Sequence, residues 1–169
     1  YYTDGAYKLD GNTYTGTSLT GTNYGIYTYY LDETNSAVRG SISNNIITLT
    51  ATSYSMYGAQ MYYGRYYTFG NNKITVTNST TCYPLYNYNY YDASFTYGRE
   101  CYITGNEITA TTTGTTYLYG HYYYQKDCKF NDNKITINGT SGTQYLYLGY
   151  YYQYNLQFNG NTIKTTSTS

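Results

Sequence analysis

The stretch Phe130-Asn131-Asp132-Asn133-Lys134-Ile135-Thr136 is the clearest copy of a motif that recurs along the whole 169-residue chain. The motif has seven positions. The first is aromatic or aliphatic, the third is Gly or another small residue, the fourth is Asn, the sixth is Ile and the seventh is Thr, whereas the second and fifth vary. Six copies occur, anchored on Asn12, Asn45, Asn72, Asn106, Asn133 and Asn161. Consecutive anchors are 33, 27, 34, 27 and 28 positions apart. Such a period is typical of architectures in which each repeat buries its apolar face against its neighbours.

Each motif predicts two short strands joined at a corner. Gly-Asn and Asn-Asn pairs, such as Gly105-Asn106, tolerate the positive φ that a sharp bend demands. After the corner, aliphatic residues alternate with threonines, which is the period of two of a half-buried strand. The aliphatic residues are predicted to face the core, and they are Ile47/Leu49, Ile74/Val76, Ile108/Ala110 and Ile135/Ile137.

Tyrosine-rich stretches, such as 116–124 and 144–152, separate the motifs, and Gly120 and Gly149 within them predict a second bend or bulge. About three short strands per repeat result, the content of one coil of a parallel β-solenoid. We therefore predict a single repetitive all-β domain over residues 1–169, a parallel β-solenoid or β-helix of six repeats. The alternative is a Tyr-rich antiparallel β meander, because a Gly-Asn pair between strands is also a hairpin signal.

The composition supports strands and excludes several partners. The chain has 32 Tyr, 17 Gly, one Pro and no Trp, and only 11% of its residues are charged. Tyr and Thr favour strands. A formal net charge of zero leaves no basic surface for nucleic acid. Since no apolar run approaches the ~18 residues of a spanning helix, membrane insertion is not expected either.

The cysteines bear on the choice of fold. Cys101 and Cys128 each lie five residues before an anchoring Asn, so they hold the same position in consecutive repeats. In a solenoid such positions stack about 4.8 Å apart, close enough for a disulfide, whereas in a meander they lie about two strand spacings apart. Cys82 is left over for an intermolecular bond or as a free thiol.

The N-terminus and two sequons indicate a secreted protein. The chain starts with neither an initiator Met nor a signal-peptide pattern, so we expect a mature extracellular or cell-surface chain with its signal peptide already removed. The sequons Asn78-Ser79-Thr80 and Asn138-Gly139-Thr140 make Asn78 and Asn138 candidate N-glycosylation sites.

The segments 130–135 and 158–163 resemble the repeat of right-handed parallel β-helix surface proteins of prokaryotes, including the adhesin-like proteins common in methanogenic archaea. Those proteins place an Asn at the coil corner and an aliphatic residue just after it, as Asn133 and Ile135 do here. The resemblance implies a solenoid with a surface role. The tyrosine content departs from it, because a narrow solenoid interior has little room for phenol rings, and most Tyr are therefore expected to face outward or line an interface.

No catalytic, metal or cofactor site is predicted. Glu100 and Asp127 each precede an anchoring Asn by six residues and would stack as a carboxylate pair. No third acid or His lies in register with them, so a surface charge cluster is the preferred interpretation. His121, the only histidine, lies in a Tyr run without ligand spacing around it and is expected at the surface. We therefore do not expect an enzyme.

The tyrosine bands are the candidate contact surface, because so much exposed aromatic area usually marks an interface. We predict a structural protein that self-assembles through β-sheet edges and Tyr-rich faces into a filament, sheath or surface layer. The alternative is an adhesin or carbohydrate-binding module that recognises glycans or a host surface protein. The contact residues named in the bands are Tyr62, Tyr63, Tyr66, Tyr122, Tyr123, Tyr124, Tyr150, Tyr151 and Tyr152, with Tyr67, Tyr88, Tyr90 and Tyr91 beside them.

A third hypothesis is ice binding. If the repeats stack, Thr-any-Thr pairs form a flat ladder that resembles the ice-binding face of solenoid antifreeze proteins. Thr is also a common exposed strand residue, and Asn138 and Lys164 interrupt the array. The pairs are Thr48/Thr50, Thr75/Thr77 and Thr109/Thr111.

Overall fold

The computed structural model describes residues 3–4, 7–32, 38–52, 54–78, 80–89 and 98–167, and their regular elements are β-strands. Most strands belong to three sheets. Sheet 1 contains β2 (Lys8–Asp10), β6 (Gly40–Ser43), β9 (Tyr67–Gly70), β12 (Tyr102–Thr104) and β16 (Lys129–Asn131). Sheet 2 contains β3 (Thr13–Leu19), β7 (Ile46–Ala51), β10 (Lys73–Asn78), β13 (Glu107–Thr112), β17 (Lys134–Gly139) and β20 (Thr162–Ser167).

Sheet 3 contains β4 (Asn23–Tyr29), β8 (Met56–Tyr62), β11 (Thr81–Tyr88), β14 (Thr115–Tyr122) and β18 (Gln144–Tyr150). Two short pairs complete the fold, β1 (Thr3–Asp4) with β5 (Leu31–Asp32) and β15 (Gln125–Lys126) with β19 (Gln153–Tyr154). No helix long and apolar enough to cross a membrane occurs in the described part of the chain.

Every pairing between these strands is parallel, and the chain visits sheets 1, 2 and 3 in turn before it starts the next coil. Each strand therefore pairs with the strand one repeat away. The predicted parallel β-solenoid is confirmed, and the antiparallel meander is wrong because no strand pairs with its neighbour in sequence within these sheets.

The predicted corners lie between sheets 1 and 2. The residue before each anchoring Asn has positive φ, and these residues are Gly11, Asn44, Asn71, Gly105, Asp132 and Gly160. The anchoring Asn then turns inward and joins a ladder. Asn106, for example, is 1% exposed, and its Oδ1 accepts hydrogen bonds from the backbone N–H (2.9 Å) and Nδ2 (3.0 Å) of Asn72. The same rung repeats from Asn12 to Asn161 and satisfies the polar groups of the corner inside the solenoid.

The core is built as the alternation predicts. Beyond the corners, the aliphatic residues of sheet 2 point inward and the threonines between them point outward. Sheet 1 contributes Phe69 and Phe130, and sheet 3 contributes Met56 and Met61, all fully buried. Because equivalent side chains stack on consecutive coils, the interior is a set of apolar columns rather than a single cluster around a centre.

The glycines of the tyrosine stretches do not form the second bend that was predicted. Strands β14 and β18 run straight through Gly120 and Gly149, and the chain turns afterwards at Tyr123 and Tyr151, which have φ of 61° and 55°. The register between β11 and β14 does shift near Gly120, so the predicted bulge occurs there, whereas the register stays constant at Gly149.

Candidate functional site

The outer side of sheet 3 carries a regular array of tyrosines, which we call the tyrosine face. Equivalent residues on consecutive coils align in four columns parallel to the solenoid axis. Column 1 is Tyr24, Tyr57, Tyr83, Tyr117 and Tyr145. Column 2 is Tyr27, Tyr86, Tyr119 and Tyr147. Column 3 is Tyr29, Tyr62, Tyr88, Tyr122 and Tyr150. Column 4, at the corner, is Tyr30, Tyr63, Tyr123 and Tyr151.

The rings of column 1 form an unbroken stack. Ring centroids are 4.8 Å apart for Tyr24 and Tyr57, and 4.4 Å apart for Tyr57 and Tyr83. The stack continues at 5.3 Å to Tyr117 and at 4.9 Å to Tyr145, with interplanar angles of 20° or less throughout. Offset stacks of this kind add stabilisation beyond burial. The interior rings therefore direct their faces at one another and their edges and hydroxyls outward.

The other columns are packed less regularly. Gln60 replaces the tyrosine of column 2 on one coil, and Asn89 that of column 4 on another. Column 3 is continuous and contains edge-to-face, tilted and stacked pairs; the stacked pair is Tyr122 and Tyr150, at 5.4 Å and 12°. The tyrosine face thus forms one connected aromatic layer across consecutive coils.

Charge is absent from this surface. The five strands of sheet 3 contain no Asp, Glu, Lys or Arg. Most of the rings are half-buried, and Tyr24, Tyr27 and Tyr145 at the outer strands are exposed. Desolvation by neighbouring rings raises the pKa of Tyr119 to about 12 and that of Tyr63 to about 12 as well. These two phenols therefore stay uncharged at neutral and moderately alkaline pH.

The predicted contact residues divide between the tyrosine face and its margin. Columns 3 and 4 contain Tyr62, Tyr63, Tyr122, Tyr123, Tyr150 and Tyr151. Tyr66, half-buried, lies at the next corner, where the guanidinium of Arg99 is 5.9 Å from its ring centroid. Tyr152 is 64% exposed and stacks on Tyr124 at 4.7 Å.

Two members of the predicted bands are not surface residues, because their rings fill the interior beside sheet 1. Tyr124 is only 6% exposed, and Tyr67 is fully buried with its hydroxyl donating to Oδ1 of Asn87 at 2.7 Å. Tyr90 and Tyr91 lie outside the described residues.

His121 was expected at the surface, and this is wrong. Its ring is fully buried between Nδ2 of Asn87, 3.1 Å from Nδ1, and the carbonyl oxygen of Lys129, 3.2 Å from Nε2. Burial lowers its pKa to about 4, so the ring is neutral at physiological pH. No group of three His, Cys, Asp or Glu side chains suited to a metal is present among the described residues.

The cysteines lie inside the solenoid. Cys101 and Cys128 stack on consecutive coils as predicted, and the backbone N–H of Cys101 is 3.3 Å from Sγ of Cys128. All three cysteines are fully buried free thiols, so the disulfide between Cys101 and Cys128 stays a prediction. Cys82 has no access to a second molecule in the folded chain, and burial raises its pKa.

The two candidate carboxylates have separate partners. Glu100 forms an ion pair with Arg39 at 3.0 Å, and Asp127 accepts a hydrogen bond from Nδ2 of Asn155 at 2.6 Å. Both residues have positive φ at the corner between sheets 3 and 1. These contacts account for the two side chains as parts of the corner structure.

The threonine array lies on sheet 2, in continuous register. One column runs through Thr48, Thr75, Thr109 and Thr136 before Lys164 ends it. In the second column the half-buried Asn138 follows Thr111 and accepts a hydrogen bond from the Thr166 hydroxyl at 2.7 Å. Of the other sequon, Asn78 ends β10, and Ser79 lies outside the described residues.

Comparison with known proteins does not add to this description. No protein-family model, curated protein or solved structure gives a significant match to the chain.

Proposed function

We propose that the protein is an extracellular structural protein that self-assembles through its tyrosine face and its sheet edges into a filament, sheath or surface layer. The observation that carries this proposal is the tyrosine face itself, a charge-free aromatic layer that covers one side of the solenoid. Large contiguous patches of this kind mark contact surfaces. Tyr supplies rigid amphipathic contact area with few rotatable bonds to immobilise.

A second copy of the chain fits this surface for geometric reasons. The columns repeat at the strand spacing of about 4.8 Å, so the face of every copy has the same period and its ridges match the grooves of another copy. The absence of charge removes the repulsion that normally opposes such contact. Within the described chain, the outermost strands β3 and β20 of sheet 2 and β4 and β18 of sheet 3 pair on one side only. Such edges are templates for a further strand.

An adhesin or carbohydrate-binding module is the second candidate, and it is favoured by two residues on the last described coil. Tyr152 and Tyr154 are 64% and 60% exposed, the most exposed of the aromatic rings described. An exposed aromatic ring can pack against a sugar. The inner rings of column 1 suit this role less well, because their faces are stacked on one another.

The test compares assembly of the wild-type chain with two charge variants. Tyr27→Lys/Tyr145→Lys introduces two charges on the tyrosine face, and Thr48→Lys/Thr109→Lys introduces the same charges at outward-facing positions on inner strands of sheet 2, away from its edges. Light scattering and electron microscopy should show ordered polymers for the wild type and the sheet 2 variant, and monomers for the face variant. Monomeric wild-type protein at all concentrations would contradict the proposal. Equal assembly of all three proteins would place the contact elsewhere.

The adhesin candidate is tested on the same preparations with glycan arrays. Binding by monomeric wild-type protein that is lost in Tyr152→Ala/Tyr154→Ala would support it, because these substitutions leave columns 1 to 4 intact. Absence of binding to any glycan would exclude carbohydrate as the ligand of these two rings.

A further inference from the structure

The solenoid brings tyrosines that are far apart in the sequence into parallel ring contact. Tyr117 and Tyr145 lie on consecutive coils with centroids 4.9 Å apart and planes 5° apart, and Tyr123 and Tyr151 stack at 4.8 Å and 18°. Neighbours on one coil meet differently. Tyr150 and Tyr151 are edge to face at 68°, and the parallel rings of Tyr145 and Tyr147 are separated by 6.2 Å. For these rings the closest parallel neighbour is therefore the one on the next coil.

We propose that the tyrosine face is a site of oxidative modification at which axially stacked tyrosines couple to dityrosine and join consecutive coils covalently. The co-reactant is a one-electron oxidant, of which hydrogen peroxide with a haem peroxidase is the test case. The inference is independent of self-assembly, because both rings of each pair belong to one molecule.

The reaction balances between two phenols and one peroxide. The oxidant removes one electron and one proton from each phenol, which gives two neutral phenoxyl radicals and reduces hydrogen peroxide to two molecules of water. The radicals combine through one carbon ortho to each oxygen, which forms the carbon–carbon bond. Each coupled ring then transfers its ortho hydrogen to its own oxygen and recovers the phenol. The net change is the loss of two hydrogen atoms from the protein.

Accessibility and packing select the pairs at the outer strand of sheet 3. Tyr145 is 36% exposed and Tyr151 is 47% exposed, so a small oxidant or a peroxidase-generated radical mediator can reach their rings. Their partners Tyr117 and Tyr123 lie directly against them. Radicals generated further along a column can pass to these positions, because every ring of column 1 contacts the next at 5.3 Å or less.

The experiment oxidises the whole chain at concentrations where light scattering shows monomers, with and without peroxidase and hydrogen peroxide. Dityrosine fluorescence gives the yield, and mass spectrometry of proteolytic fragments identifies the joined residues. We expect peptides that join residues one coil apart, with Tyr117 to Tyr145 prominent, and a yield per molecule that does not change on tenfold dilution. The cross-linked protein should also melt at a higher temperature, because the bond closes a long loop in the unfolded chain.

Conservative variants separate this chemistry from loss of structure. Tyr145→Phe and Tyr117→Phe retain the ring stack and remove one phenol each, so either should abolish the 117–145 peptide. Tyr14→Phe is the matched control, since Tyr14 is 45% exposed and lies outside the tyrosine face. It should leave the yield unchanged. A yield that falls in proportion to protein concentration, or the same set of cross-links from urea-unfolded protein, would overturn the proposal, whichever way the assembly test comes out.

Discussion

Replacement of Asn106 by Ala tests whether the internal asparagine ladder stabilises the solenoid. The side chain of Asn106 accepts bonds from the backbone N–H and Nδ2 of Asn72. It also donates to Oδ1 of Asn133 and to the carbonyl oxygen of Phe69, both at 2.9 Å. The substitution removes these interactions, together with a longer bond of 3.2 Å from Nδ2 to the carbonyl oxygen of Thr104, from a site that is 1% exposed.

The expected loss of stability follows from these contacts. The backbone N–H of Asn72 is left buried without its acceptor, which costs about 1–3 kcal/mol, and each further hydrogen bond contributes about 1 kcal/mol net. With three further bonds of 3.0 Å or less, Asn106→Ala should therefore lower the free energy of unfolding by about 4–6 kcal/mol. This is a large part of the 5–15 kcal/mol typical of a folded protein.

Urea unfolding followed by circular dichroism measures the loss, with two control variants. Asn71→Gly changes the exposed residue that precedes Asn72 of the ladder. Glycine adopts positive φ readily, as Gly105 does at the equivalent position one coil away, so this variant should have nearly wild-type stability. Asn12→Ala removes an exposed end of the ladder and should cost about 1 kcal/mol or less, because water replaces its bonds. If Asn106→Ala were no more destabilising than these two variants, the ladder would not hold the coils together.

Three further predictions concern the interior. The pKa of His121 is lowered from 6.5 to about 4 by burial, so only the unfolded chain binds the proton between these values. Stability should then fall by about 3 kcal/mol as the pH is lowered from 6.5 to 4, and His121→Asn should remove this dependence in urea titrations. The Cys101 thiol is fully buried, and its pKa is raised mainly by desolvation. Alkylation followed by mass spectrometry should therefore show modification of Cys101 only after unfolding. Rapid labelling of the native protein would contradict the burial. A Cβ at Gly58 would lie 2.4 Å from the carbonyl oxygen of Pro84, so Gly58→Ala should cost about 1–3 kcal/mol, whereas Gly11→Asn, at an open corner with positive φ, should be tolerated in the same unfolding assay.

The corners and the core were predictable because few residue types satisfy their geometry. Each corner between sheets 1 and 2 has two special positions. The first has positive φ and is Gly, Asn or Asp, and the second carries an inward-pointing amide and is Asn. The alternation of Ile and Thr then fixes which side of sheet 2 faces inward. From Asn45 to Asn161 the spacing between copies varies from 27 to 34 residues without disturbing the register of β7, β10, β13, β17 and β20, because the extra residues lie outside these strands. Between β3 and β7 the register shifts after Gly16.

The corner after sheet 3 was not predictable from turn rules. Tyr30, Tyr63, Tyr123 and Tyr151 have φ between 53° and 61°, a conformation that a bulky side chain seldom adopts. Stacking with the equivalent ring on the next coil, at 5.0 Å for Tyr30 and Tyr63, offsets part of the strain. The signal in the sequence is therefore the repetition of adjacent tyrosines rather than any turn-forming residue.

The glycines of sheet 3 have a different structural role from the bend that their sequence context predicts. A Cβ at Gly25 would lie 2.6 Å from the carbonyl oxygen of Gly58, and one at Gly120 would lie 2.9 Å from the ring of Phe130. These residues are small because backbone and core side chains approach them closely. A pattern of Gly within Tyr runs does not distinguish a bend from such a contact.

The burial of several polar side chains was also not predictable from the sequence. His121 lies in a run of tyrosines, but the bulge near Gly120 brings it to the inner side of sheet 3, in line with Asn87. Oδ1 of Asn87 in turn accepts a hydrogen bond from the Tyr67 hydroxyl on the opposite side of the interior. Asn87 bonds to both Tyr67 and His121, and the carbonyl oxygen of Lys129 satisfies the second nitrogen of His121. No one of these residues signals burial alone.

The arrangement of the rings also bears on the choice between self-assembly and carbohydrate binding. Outside the solenoid the tyrosine columns repeat what the asparagine ladder does inside, since each links a coil to the next through an identical side chain. A ring that stacks on its neighbours on both sides has no free face for a sugar, yet its edge and hydroxyl remain available to a surface with the same period. Only another copy of the chain is certain to present that period. The stacking that stabilises the fold therefore favours self-association over carbohydrate binding at the inner rings of column 1. A sugar would find an open ring at Tyr152 and Tyr154, or at the outer-strand rings Tyr24, Tyr27 and Tyr145.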